Sequence, residues 1–214
     1  MNGIVRRVCV VKQLTPVPGR VGVSAIDKQP VEGPVKVRDL GLFGDVQADR
    51  EHHGGIEKAV YVYSDESMAW WEAELGRSLP DGCFGENLRT SGMDVESALV
   101  GEQWRIGTAR FQVSTVRTPC RTFAEWMALP GWVKRFQAAG LPGTYLRVLE
   151  AGVVQAGDAI AVDYRPSHGV PVGRWFSEKG ADDARSLLAS AASGEFIMGE
   201  RLRAHCDAAL ARES

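Results

Sequence analysis

The sequence has no paired cysteines. Its four thiols, Cys9, Cys83, Cys120 and Cys206, are scattered over 214 residues with no CxxC spacing, which argues against a disulfide framework and against a structural zinc site. Long apolar runs are missing too, and nothing approaches the roughly eighteen residues that a membrane span needs. The opening MNGIVRRVCVVKQL does not read as a secretory leader, because Arg6, Arg7 and Lys12 interrupt it and no small-residue cleavage site follows. A cytoplasmic protein without a membrane partner is expected. An excess of one charge is also lacking. Lys and Arg number 25, Asp and Glu 27, for a net charge of −2, so a nucleic-acid polymer is not the expected partner. There is no Walker A loop, no GxGxxG after a strand, no HExxH helix and no GxSxG elbow.

What is present is a chain that is 44% hydrophobic and 24% charged, enough to bury a full core. Residues 1–165 are dense in glycine and in short runs of branched and aromatic residues. Candidate strands are 4–11, 20–26, 35–37, 59–63, 103–106, 110–116, 145–150 and 158–162. In R110-FQVSTV116 the alternation is clean, and 107–109 reads as its hairpin turn. Helices are expected over 64–75, capped by Ser64 and Gly76, and over 122–129 and 132–139. A Pro/Gly stretch at 165–173 reads as a linker, followed by helical periodicity at 181–192 and 199–211. The reading is an α+β chain: a β-barrel-like domain over 1–165 with interspersed helices, and a short helical appendage over 166–214. That appendage is too small to fold convincingly alone.

Three stretches could carry chemistry. In V116-RTPCRTF123, Cys120 lies between Arg117 and Arg121, which would stabilise its thiolate, and Pro119 stiffens the chain just before it. The plain alternative is a small buried residue, as most free cysteines are. Cys9 and Cys206 have no such charged flanks and read as structural. In G44-DVQADREHHGGIEKAVYVY63, Gly54 and Gly55 allow close backbone approach to an anion and Lys58 could neutralise a phosphate. The adjacent His52 and His53 make a poor metal pair, since neighbouring side chains in a strand point apart. In P80-DGCFGENLRTSG92, Asn87 can donate and accept toward a polar heterocycle, although a wide turn explains the same stretch.

Taken together and in order, HHGGIEKAVYVY, FGENL, VGEQWRIG, RTPC and GTYLRVLEAGVVQAGD resemble the MOSC domain over residues 5–162. The K28-QP30 tripeptide and the helical tail resemble that family's bacterial YiiM-type branch. The resemblance implies a barrel-like fold, a molybdenum–pyranopterin cofactor rather than pyridoxal phosphate, and Cys120 as the molybdenum ligand. It implies that Lys28, Gly54, Gly55, Lys58, Phe84, Gly85, Asn87, Arg117, Thr118 and Arg121 lie around the cofactor. It further implies reduction of small N-hydroxylated compounds such as hydroxylaminopurines, with His53 or Glu86 as general acid. No flavin, haem or iron–sulfur signature is present, so a separate electron-donating reductase is expected. A carrier of the cofactor, or of sulfur on Cys120, without turnover is the competing class; a cysteine hydrolase pairing Cys120 with His53 is a third. Glu102 stands where the family commonly has Asp. The tail looks shorter than a three-helix module, and an exposed helix face there would suit either the donor or a homodimer.

Overall fold

Alternating and β-branched runs produce most of the strands, and their pairing closes a barrel. The computed structural model describes residues 3–18, 22–48 and 54–213. Strands β1 (Gly3–Val11), β2 (Thr15–Pro16), β3 (Val23–Ser24), β4 (Lys28–Val31), β5 (Val35–Arg38) and β6 (Gly41–Leu42) precede a short 3-10 turn at Ile56–Lys58. Then come β7 (Val60–Ser64), helix α1 (Asp65–Leu75), β8 (Leu88–Ser91), β9 (Gln103–Ile106) and β10 (Ala109–Val116). Helices α2 (Arg121–Met127) and α3 (Trp132–Ala139) lead to β11 (Thr144–Glu150), β12 (Gly152–Val154) and β13 (Ala159–Tyr164). Helices α4 (Val172–Ser177), α5 (Ala181–Ala192) and α6 (Glu200–Ala211) follow.

Seven strands run in the order β13, β9, β10, β11, β7, β8, β1, and β1 pairs back onto β13 through Gly3–Ile160 and Ile4–Ala159. The barrel is mixed, because β7 and β8 are parallel while their neighbours are antiparallel. Register breaks at Val5/Arg7, Arg110/Phe111, Val113/Thr115 and Val162/Tyr164 bend the strands as closure requires. The expected strand at 20–26 shrinks to Val23–Ser24, with Arg20 and Val21 outside the described residues. The segment expected as a glycine-rich loop contains β8, which pairs with both β7 and β1.

Strand β10 shows how the barrel and the later helices become one body. Phe111 and Val113 are buried on one face, as the alternation predicts, but Gln112 and Ser114 on the other face are buried as well. Gln112 exchanges two hydrogen bonds of 2.9 Å with the backbone of Ile197, in the turn before α6. Ser114 donates to the carbonyl of Glu57, in the 3-10 turn. Helix α4 begins at Val172, inside the expected linker, where Val172 and Gly173 donate to Ala98 and Glu96 carbonyls at 2.8 Å. Phe196 packs on Gly101 so closely that a Cβ there would lie 2.6 Å from its ring. Trp175, Phe176, Leu187, Leu202 and Cys206 share one hydrophobic cluster with the barrel. The tail thus holds three helices, not fewer, and draws its stability from the barrel it covers.

A second concentration of burial gathers around Phe84. Trp71 on α1, Phe84, Phe123 on α2, and Trp132 and Phe136 on α3 are each at most 1% exposed. Their rings meet with centroids 4.6–6.1 Å apart, within the range where edge-to-face and offset pairs are favourable. No helix among the described residues is long and apolar enough to cross a membrane.

Candidate functional site

After β10 the chain stays extended through Arg117, Thr118 and Pro119, and Cys120 becomes the residue before α2. Its backbone is extended (φ −127°, ψ 172°) and its side chain does not cap the helix. Cys120 is half-buried, whereas Pro119 beneath it is buried. The two flanking arginines part company. Arg121 points outward, with 79% of its side chain exposed, and pairs with Glu125 at 2.7 Å. Thr118 is exposed as well. Arg117 turns inward and is 8% exposed, its guanidinium 4.0 Å from the Phe123 ring centroid and 4.9 Å from that of Tyr61. Aromatic faces hold the cation, but Nε is buried with no hydrogen-bond partner among the described residues. A buried charged donor without an acceptor is costly. An anionic ligand beside Cys120 would remove that cost.

The glycine turn comes from an earlier part of the chain. Gly55 has φ 90° and ψ 177°, a conformation open to glycine and strained for other residues. Gln47 builds the turn: its carbonyl accepts from Gly55 N at 2.8 Å, and its amide donates to Leu40, Gly55 and Lys58 carbonyls at 3.0–3.3 Å. Lys58 leaves this turn half-buried, its Nζ 5.6 Å from the Tyr145 ring centroid. Burial first, then the charges of Arg201 and Arg117, push its pKa down to about 8, while Cys120 and Glu57 oppose the shift. A cavity of about 640 Å³ opens here, lined by Gly54–Lys58, Arg147 and, from the C-terminal helices, Met198–Arg201. Lys58 links its two halves, since it lines the cavity and also interacts with Cys120 and Arg117.

Other expected site residues belong to the frame. Lys28 is buried against Asp45 at 2.5 Å, both side chains under a tenth exposed. Burial lowers the Lys28 pKa, with Asp45 opposing. Asp45 also accepts from Val11 N and Asn87 Nδ2. Asn87 is spent on Tyr61 N, the Cys9 carbonyl and that same aspartate. Phe84 lies in the aromatic cluster, and Gly85, at φ +74°, lets the loop pass Ile26, where a Cβ would meet Cγ1 at 3.1 Å. Glu86 is fully buried; its carboxylate accepts from Gly82 N at 2.7 Å, Phe84 N at 2.9 Å and the Arg89 guanidinium. It is not placed to hand a proton to a ligand. Glu102, 2% exposed, accepts from Trp104 Nε1 at 2.7 Å and pairs with Arg165 at 3.0 Å, so the longer acid ties β9 to the start of the tail. His53 lies outside the described residues.

Gln47, Arg147 and Arg201 were not legible as site residues. Each is a polar residue in an ordinary surface-like context, and the fold alone brings it to the cavity.

At the remaining cysteines burial disfavours the thiolate. Burial pushes Cys9 and Cys206 up to about 12 each. Cys83 is pushed upward by burial and then by Glu86. Thiols held so high are poor nucleophiles. Brief iodoacetamide treatment at pH 8 is expected to label Cys120 ahead of the other three, read by peptide mass spectrometry. Equal labelling of Cys83 would contradict the contrast.

Residues 49–161 match the model of the MOSC domain. The chain is 36% identical to the protein YflK of Bacillus subtilis (strain 168) over 166 residues, which is 78% of this chain and 75% of that one. It is 36% identical over 148 residues to a protein of Gibberella moniliformis (strain M3125 / FGSC 7600) named as a reductase, covering 67% of this chain and about a quarter (26%) of that protein. The crystal structure of YiiM from Geobacillus stearothermophilus superposes with a TM-score of 0.79 at 26% identity, over 97% of this chain and 99% of that one. The family match runs from β7 into β13 and includes Cys120 but not β1, and the structural likeness runs through the helical tail. The chain therefore belongs to the MOSC family, as a member of its YiiM type.

Proposed function

We propose that this protein binds a molybdenum–pyranopterin cofactor through Cys120 and reduces small N-hydroxylated compounds, hydroxylaminopurines among them, with electrons from a separate reductase. One observation carries the reading. The charges of Cys120, Arg117, a buried cation lacking an acceptor at Nε among the described residues, and Lys58 act on one another, and Lys58 lines a cavity of about 640 Å³. That set fits an anionic group that brings its own sulfur donors to a soft metal. The similarity to a fungal protein named as a reductase points the same way.

When bound, the cofactor supplies the two-electron reduction that removes the hydroxyl oxygen. The chain's residues do the rest. Cys120 Sγ would hold the metal. Arg117, clamped between Tyr61 and Phe123, favours negative charge at that point in a water-poor setting. The cavity is of a size suited to small molecules, and Lys58 on its wall is the lining residue whose charge also acts on Cys120. The departing oxygen needs a proton. Glu86 is sealed in the frame, so the reading gives that proton to His53.

The test is direct. Protein from a cofactor-making host is incubated with 6-hydroxylaminopurine and a chemically reduced viologen, and adenine is followed by chromatography. Turnover is expected, and His53→Gln should slow it and remove a limb of its pH profile. Molybdenum-loaded protein that forms no adenine or other amine product from N-hydroxylated compounds would sink the enzyme reading. A sulfur adduct on Cys120 in that protein would then favour a carrier.

A further inference from the structure

Tyr145 in β11 pairs across the sheet with Tyr61 in β7, and the two rings meet with centroids 4.9 Å apart. The Tyr61 ring also carries the Arg117 guanidinium at 4.9 Å, and Lys58 Nζ lies 5.6 Å from the Tyr145 centroid. The charges of Arg117 and Cys120 act on the Tyr145 phenol. The backbone here is fixed, because the Tyr145 carbonyl accepts from the Ser114 and Thr144 hydroxyls at 3.0 and 3.3 Å. A half-buried ring is thus held among the groups that surround Cys120.

Neighbouring tyrosines use their hydroxyls differently. Tyr61 donates to the Pro142 carbonyl at 2.7 Å and Tyr63 to the Leu141 carbonyl at 2.9 Å, so both phenol hydrogens are spent on the frame. The side-chain partner of Tyr145 is Arg117. A guanidinium can only donate, so the Tyr145 oxygen accepts in that pair and keeps its own hydrogen. Among the described residues nothing takes that hydrogen, since the other side-chain hydrogen bonds to Tyr145 end on its carbonyl. Burial raises the phenol pKa, with Arg117 opposing, so at neutral pH the group is a neutral donor and not a base. Accepting from a cation also makes a hydroxyl a better donor. A half-buried donor without an acceptor is completed by a ligand oxygen.

We propose that the Tyr145 hydroxyl donates a hydrogen bond to the hydroxyl oxygen of the N-hydroxylated ligand, and that this bond distinguishes substrate from amine product. The inference rests on the functional reading above and names a group of the same site that recognises the substrate. Once the N–O bond is broken, the amine offers no oxygen to Tyr145, so the product loses a contact that the substrate had. A site built to bond a hydroxyl disfavours the analogue without it, because its own polar group is then left unpaired.

The test compares two ligands that differ by that oxygen, 6-hydroxylaminopurine and adenine. Their affinities are measured calorimetrically, without reductant, on protein from a cofactor-making host: native, Tyr145→Phe and Tyr63→Phe. Native protein should bind the N-hydroxyl compound more tightly than adenine. Tyr145→Phe should shrink that preference about three- to tenfold, the worth of one neutral hydrogen bond, and change the affinity for adenine by less than about twofold. Phenylalanine keeps the ring against Tyr61, so the unfolding midpoint should stay near the native one. Tyr63→Phe should lower the midpoint, because it removes bonds to Leu141 and Trp71, and should keep the preference. Equal affinity of native protein for the two ligands, an unchanged preference in Tyr145→Phe, or an equal loss in Tyr63→Phe overturns the proposal. Any of these beside normal turnover leaves the functional reading standing. Binding needs no reductant, so protein that prefers the N-hydroxyl compound but never reduces it ends the functional reading, while the change in preference still decides the role of Tyr145.

Discussion

Cys120→Ala is expected to reduce turnover more than about a hundredfold, beyond what loss of an outer-shell partner of a metal costs, while leaving the fold intact. The asymmetry follows from where the residue sits. Its side chain makes no cap bond to α2, and the helix start is already set by Ala124 N donating to the Cys120 carbonyl at 3.0 Å. Only a small half-buried group is removed, so the stability change should stay under about 1.5 kcal/mol. Arg117 keeps its aromatic clamp in the variant. The assay is turnover of a loaded preparation beside a urea unfolding curve. Retained activity would remove Cys120 from the chemistry, and a collapsed midpoint would make it structural.

Glu86→Ala should behave in the opposite way. The carboxylate is fully buried and bonds two backbone N–H groups and the Arg89 guanidinium, whose side chain is 3% exposed. Burial opposes the charge on Arg89, and attraction and hydrogen bonding from Glu86 more than restore it. Asp65 and Asp81 stand further off, at 3.7 and 4.0 Å. Truncating Glu86 strands a buried cation and two loop N–H groups, which should cost about 3–5 kcal/mol. With a urea slope of about 2–3 kcal/mol/M, the midpoint should fall by about 1–2.5 M. A variant as stable as the native chain, but inactive, would return Glu86 to the list of proton donors.

That contrast also marks what the sequence could and could not reveal. The strands at 103–106 and 110–116 were legible because alternation and a Gly–Thr turn act locally, and both form as expected. β8 was hidden because Leu88-Arg-Thr-Ser is polar for a central strand; its arginine is buried on Glu86, a partner that only the fold reveals. α4 was hidden because its six residues follow Pro171 in a stretch that reads as linker, although Trp175 and Phe176 anchor it. In the site, Cys120 stood out through its neighbours. The polar residues of the FGEN stretch looked like ligand donors and instead hold together the frame beneath. Arg201 had no local signal, since an arginine in the first turn of an amphipathic helix reads as solvent-facing. Tertiary packing alone sets it beside Lys58.

The central claim is that Cys120 holds a molybdenum centre in this cleft. Its most direct test is the molybdenum-to-protein ratio, by plasma mass spectrometry, for native chain and Cys120→Ala made side by side in one cofactor-competent host. The account predicts close to one metal per native chain and less than about a tenth of that in the variant. Equal ratios in the two proteins, or no molybdenum in the native chain when the host makes ample cofactor, would contradict it.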